Sequence, residues 1–510
     1  MSYRPSITRN ILSNWGGFVF AAATGFFISP FVVKSLGETQ YGAWVLLGSM
    51  VGNLGLLDIG VRAAVTRYVA RFHAAGEHER SCRLYTSAVR IFSIAGAAAI
   101  ALSAVMAVLI GRVFQVPHEL LGAARIVAVV GGASAAVSLI GGVFGGILVG
   151  LHRFETTNAI EIVVGSARII GIVLCLSTGK GLVGLSLVQL AANVGVSGAA
   201  FFYMRRAYPQ LRPRNWIWDG DSARMLVRFG LTASIVHVSY SVMLYSDSLV
   251  IGAFLPVAMI THFSIGATLI DYARSVIAGI SRTLTPWISS LEATKQESMI
   301  QDAMLSNARI ASIVVYPIAV TFILRGESFV GLWMGPEYAQ IAGQVLVILS
   351  MNLLTLAGYQ IVSAAMFGVG RHGGLIPVFI VEGIINVLLS IVLVRHFGVL
   401  GTAFGTMIPR VIVSAFVGPW YAERVLHVSH RRFWREAFLR PAIAVIPFAA
   451  ASLLVERTYP APNLFVFFAE VIALLPLMAA AVWIVCLSGD EKATLLRAAR
   501  AATRSQVGGD

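Results

Sequence analysis

The sequence predicts an all-α polytopic membrane protein of about fourteen transmembrane helices, and three observations carry that reading. Of 510 residues, 57% are hydrophobic and only 12% charged, about half the charged fraction of an ordinary soluble domain. Apolar runs of about twenty residues, enough to cross a hydrocarbon core roughly 30 Å thick, recur from Ile11 to Cys486. The mean hydropathy is +0.80, and no stretch between the runs is long enough for a soluble domain.

Taken in order, the expected spans are 11–33, 41–65, 84–110, 124–149, 158–177, 181–204 and 226–253, followed by 258–285, 305–324, 339–366, 374–394, 401–422, 441–456 and 463–487. The first follows the polar, basic MSYRPSITRN, exceeds the core of a signal peptide and lacks an A-x-A site, so it reads as a retained helix. The thirteenth is the shortest and is interrupted by Pro447. The basic stretch 205–225 divides the chain into an N-terminal six-helix bundle (1–204), a cytoplasmic linker and a C-terminal six-helix bundle (226–422). Residues 423–510 then supply an interfacial helix, a terminal transmembrane pair and a cytoplasmic tail. A faint repeat at an offset of 219 aligns Leu36 with Leu255, Gly42 with Thr261 and Trp44 with Phe263, as in transporters built from two pseudo-symmetric halves. Such halves leave a cleft where ionisable residues meet water.

Charge tests the span assignment independently. With fourteen spans, loops on the N-terminal side hold 23 Lys/Arg and those on the opposite side six: Lys34, Arg112, Lys180, Arg325, Arg395 and Arg457. Basic residues are retained in the cytoplasm, so both termini are placed there. The net charge of +14 therefore has a topological explanation, and no soluble basic module exists to bind nucleic acid. In SHRRFWREAFLR (429–440), Phe433, Trp434 and Phe438 alternate with arginines as in a helix lying at the head-group boundary. The stretch 325–338 reads as the longest outer loop. Three scattered cysteines, Cys82, Cys175 and Cys486, indicate neither a disulfide framework nor a zinc site, and no metal or cofactor is expected.

ITRNILSNWGGFVF, PFVVKSLGETQYGAWVLL and LLDIGVRAAVTRYVAR, with the spacing Leu36-Gly37-x-x-x-Tyr41-Gly42 and the pair Asp58 and Gly60, resemble the opening of the bacterial polysaccharide exporters. These are the lipid-linked oligosaccharide flippases of the multidrug/oligosaccharidyl-lipid/polysaccharide superfamily. Residues 245–276, YSDSLVIGAFLPVAMITHFSIGATLIDYARSV, are similar to their second-half signature. The resemblance implies two bundles facing each other in a V and alternating between inward-open and outward-open forms. It also implies an undecaprenyl-pyrophosphate-linked sugar as cargo, the bacterial inner membrane as location, and glycosyltransferases or a polymerase as partners alongside membrane lipids.

Charges inside the spans are costly and must face protein, water or a partner. Asp58 and Arg62, four apart, share a helical face, so they either neutralise each other for insertion or offer Arg62 to a ligand. Asp271, Arg274 and Arg282 lie in one expected helix that cannot face lipid. Guanidinium groups match pyrophosphate with two-pronged hydrogen bonds, so Arg62, Arg274 and Arg282 are the leading head-group candidates, followed by Arg168 and Arg410. Glu382 and Arg410 come at comparable depths on consecutive helices and read foremost as an interhelical salt bridge. Arg168 needs a partner on another helix, and Arg228 and Arg309 snorkel from inner ends. Asp247 and His237 are candidates for proton coupling or for local hydrogen bonding. Glycines in GGVFGGILVG (141–150) suit close helix packing.

Three functions compete. A membrane-embedded polysaccharide polymerase would need an acid/base or nucleophile constellation that the sequence does not display. A cation-coupled drug antiporter predicts a cavity of carboxylates and aromatics, whereas the inventory here favours arginine and an anionic ligand. The expectation is a non-enzymatic flippase for a polyprenyl-pyrophosphate-linked oligosaccharide.

Overall fold

The computed structural model describes residues 7–58, 60–211, 219–494 and 496–497, with side chains from residue 24 onward except 232–240, 242 and 282. The described residues are almost entirely helical and contain no strand. Among the described residues, ten helices are long and apolar enough to cross a membrane, or up to twelve when two bent pairs count as single spans. The expected fourteen exceed that number, in part because α1, Ile7–Leu54, runs through the first two expected spans and bends at Gly37. Gly37 has φ 73, a left-handed conformation that glycine adopts without steric cost.

The chain divides into two compact units. The first comprises residues 1–261 with 394–399. After α1 it contains a 3-10 turn, Gly55–Asp58, then α2 Val61–Ala74, α3 His78–Val113, α4 His118–Gly150, α5 Phe154–Ser177, α6 Gly181–Ala207 and α7 Gly220–Phe254. Its core gathers Val65, Val69, Leu84, Phe92, Val143 and Ile147, all fully buried. The outer faces of the helices stay apolar and exposed, as at Val105, Val108, Ile170 and Leu174. Small polar residues such as Ser103 and Ser134 are buried instead. That inversion suits helices surrounded by lipid, where small and hydroxyl side chains let backbones approach.

The glycines of 141–150 show this most clearly. A methyl group at Gly142 would lie 2.7 Å from Nε of Arg62, one at Gly146 would lie 3.3 Å from the Arg62 carbonyl, and one at Gly150 would lie 2.7 Å from the Thr66 carbonyl. The three are spaced by four and form a track on α4 along which α2 lies. Thr66 fastens it, donating to the carbonyl of Gly146 at 3.1 Å.

The second unit comprises 262–393 and 400–510. It holds α8 Ala258–Ala293, α9 Glu297–Trp333, α10 Pro336–Ser350, α11 Leu353–Gly368, α12 Ile376–Phe397, α13 Val399–Ile412, α14 Gly418–Leu426, α15 His430–Phe433, α16 Arg440–Thr458 and α17 Leu464–Val485. Wider π-turns, Val413–Val417 and Trp434–Leu439, join α13 to α14 and α15 to α16.

Three local expectations are corrected in this unit. The stretch 325–338 is no extended loop: α9 continues to Trp333 and α10 begins at Pro336. Arg325 is buried and bonds Glu456 of α16 at 2.5 Å and Glu470 of α17 at 2.6 Å, above the ring of Phe467. Two carboxylates supply the countercharge that a loop position would have drawn from water. Arg309 does not snorkel, because it pairs with Glu436 at 3.2 Å and with Glu491. Burial alone would raise the Glu491 carboxyl, but hydrogen bonds from Ser488 and the Arg309 guanidinium hold it below the usual carboxylate range. Of the aromatics assigned to the head-group boundary, Phe433 and Phe438 are buried in protein and the Trp434 indole donates to the carbonyl of Ala415 at 2.8 Å. The lack of a side chain at Gly358 makes room for both phenyl rings.

Candidate functional site

The break in the second apolar run explains why it carries charge. Gly60, at φ 64, separates the 3-10 turn from α2, and the first turn of any helix leaves N–H groups without intrahelical acceptors. Asp58 meets that need: its Oδ1 accepts from the backbone N–H of Arg62 at 3.2 Å, while its Oδ2 lies 3.6 Å from the Arg62 Nε. The Arg62 side chain nevertheless remains half exposed. It projects into an open cavity of about 660 Å³, within the size range of small-molecule sites.

This cavity lies within the first unit, lined by α1, α2, α4, α6 and α7. Among the described residues that line it, Asp58 and Arg62 are the charged ones. The remaining polar lining is neutral, with Ser49, Ser134, Ser138, Gln189 and Asn193, and aromatic faces come from Tyr41, Trp44 and Tyr245. A smaller adjoining pocket of about 140 Å³ shares Tyr41, Trp44 and Gln189 and adds Arg168. Arg168 finds its partner on another helix, as expected, donating to Oε1 of Gln189 at 3.3 Å. Gln189 in turn donates to Asn193 Oδ1 at 3.3 Å, and Asn193 donates to Ser134 Oγ at 2.6 Å.

A family model described as "Polysaccharide biosynthesis protein" matches residues 7–292, more than half of the chain. The chain belongs to that family. Among curated relatives, it is 20% identical over 434 residues to the "Uncharacterized membrane protein EpsK" of Bacillus subtilis (strain 168), covering 82% of this chain and 83% of that one. It is 21% identical over 431 residues to a "Putative O-antigen transporter" of Shigella flexneri, covering 83% and 99%. The solved "Lipid II flippase MurJ, inward closed conformation" superposes with a TM-score of 0.73 at 13% identity, over 94% of this chain and 98% of that one. At that identity the superposition speaks for the fold alone.

Within this family member, the remaining sequence-derived candidates fall in the second unit or in α7. Arg274 bonds Asp271 one turn earlier at 3.3 Å; its side chain is 18% exposed and that of Asp271 48%. Arg410 is buried and locked on Glu382 at 2.8 Å, the interhelical bridge that the sequence suggested. Asp247 is buried on α7 between buried Ser246 and Ser248. Arg282 lies on α8 and His237 on α7, but their side chains are outside those described.

Sequence reasoning missed Gln189, Asn193 and Ser134 because it inventoried charges. The signal was present: two carboxamides four residues apart in an apolar span mark one polar helix face.

Proposed function

We propose that this chain is an alternating-access transporter that moves a polyprenyl-pyrophosphate-linked oligosaccharide across the bacterial inner membrane, with both termini cytoplasmic. Its setting is polysaccharide biosynthesis, where glycosyltransferases or a polymerase are its partners. Family membership and the printed name of the Shigella flexneri relative support the process. The single observation that carries the cargo is the half-exposed Arg62 guanidinium, beside Asp58, in a cavity whose described lining also offers neutral polar groups and aromatic rings. A guanidinium suits a diphosphate, whereas hydroxyls, carboxamides and flat ring faces suit sugars. A carboxylate-lined drug site is not favoured, because the carboxylate among the described lining residues, that of Asp58, is already committed to the α2 terminus and to Arg62.

Of the two candidate arginines of the second unit whose side chains are described, Arg274 is the more accessible and is the further head-group candidate; Arg410 is held by Glu382. The test is flipping of a fluorescent polyprenyl-pyrophosphate oligosaccharide in proteoliposomes. Arg62→Ala loses a charge-assisted hydrogen bond and is expected to slow flipping by about tenfold or more, with Arg62→Lys intermediate. Wild-type vesicles no faster than protein-free ones would overturn the reading.

A further inference from the structure

Arg168, Gln189, Asn193 and Ser134 form a hydrogen-bonded row from α5 across α6 to α4. Carboxamide orientations are ordinarily ambiguous, since oxygen and nitrogen exchange places on a flip. Here both ends of the row fix them. Arginine only donates, so the Gln189 atom facing Arg168 is the oxygen and its NH2 group points toward Asn193. At the other end, the same nitrogen of Asn193 that contacts Ser134 Oγ lies 3.5 Å from the Ser134 carbonyl, an acceptor only. The Asn193 oxygen therefore faces Gln189, and every bond in the row runs the same way.

That polarity has a chemical consequence. The Ser134 oxygen accepts from Asn193, which leaves its O–H to donate, and the Gln189 nitrogen, with one hydrogen on Asn193, retains a second. Gln189, Asn193 and Ser134 all line the cavity that contains Arg62. Trp44, half-buried, supplies a flat apolar face to the same cavity and to the pocket of Arg168. The neutral end of the cavity is thus biased toward donors.

We infer that this row is a sugar subsite that selects a glycan bearing a carbonyl acceptor, either the acetamido group of an N-acylated amino sugar or the carboxylate of a uronic acid. Arg168 is a positioning residue in this arrangement: it orients Gln189 and leaves the diphosphate to Arg62. The inference rests on the proposed transport of a glycan-bearing lipid and assigns the part of the glycan that the site reads.

The informative variants preserve shape and reverse polarity. Gln189→Glu still accepts from Arg168 but now presents an oxygen to Asn193, which must turn its NH2 group to meet it. Ser134 then donates to Asn193, and its O–H is withdrawn from the cavity. Asn193→Asp withdraws the same O–H directly.

The experiment compares three polyprenyl pyrophosphates, carrying N-acetylglucosamine, glucuronic acid or glucose, for flipping in proteoliposomes and for equilibrium binding to the protein in nanodiscs. The wild type is expected to prefer at least one carbonyl-bearing lipid over the glucose lipid by about tenfold; which one identifies the source of the carbonyl. Gln189→Glu and Asn193→Asp are expected to abolish that preference while still binding the glucose lipid. No preference in the wild type, or a preference that survives both variants, overturns the subsite. Absence of flipping with the binding preference present and polarity-dependent would instead overturn transport and leave the subsite standing.

Discussion

Asp58 performs two tasks at one point of the chain, and they can be separated by substitution. Its carboxylate caps the N-terminus of α2 through the Arg62 N–H and faces the Arg62 guanidinium. Asn retains a capping oxygen but not the charge, whereas Ala retains neither. Asp58→Ala is therefore expected to be less stable than Asp58→Asn by about 1 kcal/mol, read as a lower midpoint of thermal unfolding in detergent micelles. Equal midpoints for the two variants would show that the charge pair, and not the cap, is what Asp58 contributes. The spacing of Asp58 and Arg62 was legible in the sequence as one helical face, but the break was not. A single glycine inside an apolar run reads as tolerated helix, and only the left-handed φ of Gly60 turns the run into two helices with a terminus to cap.

Among the elements, α16 and α17 are tied to α9 by charge as well as by apolar packing. Arg325 lies where α9 departs from helical geometry, at φ −129, and its guanidinium is enclosed by Glu456, Glu470 and the Phe467 ring. Ser328, one turn later, donates to the second oxygen of Glu456. Removing one partner from a buried ionic cluster leaves the others uncompensated, at a cost of about 3–5 kcal/mol. Arg325→Met should therefore destabilise by that order, and Arg325→Met combined with Glu456→Gln and Glu470→Gln should recover most of the loss. Thermal unfolding in nanodiscs distinguishes the cases; a triple variant no better than the single would mean that Arg325 acts by filling space. The sequence assigned Arg325 to a loop because an isolated charge is cheapest at the membrane surface. Its two acids lie more than 130 residues away in the chain, and no local pattern announces that they reach the same depth.

At the scale of the whole molecule, helical class and the order of the helices were legible because both follow from composition and run length, which lipid imposes on every span alike. Side-chain partners were legible only where charge compelled them, as for Glu382 with Arg410, and not where neutral groups satisfied each other, as for Gln189 with Asn193. The distribution of Lys and Arg adds a claim about topology that helix boundaries alone do not make. Lys180 follows the fifth expected span and Ser298 the eighth, so the expected spans put an odd number of crossings between them and the two are expected on opposite faces of the membrane. Both positions are exposed, and the three native cysteines are buried, so a single introduced thiol can be labelled over a low background. In intact cells a membrane-impermeant maleimide should modify Lys180→Cys and spare Ser298→Cys until the membrane is opened. Labelling of both from outside would remove one crossing from the chain between them, and labelling of Ser298→Cys alone would invert the protein in the membrane. Inversion would place the cytoplasmic arginines in the wrong compartment, and with them the direction in which Arg62 would first meet a diphosphate.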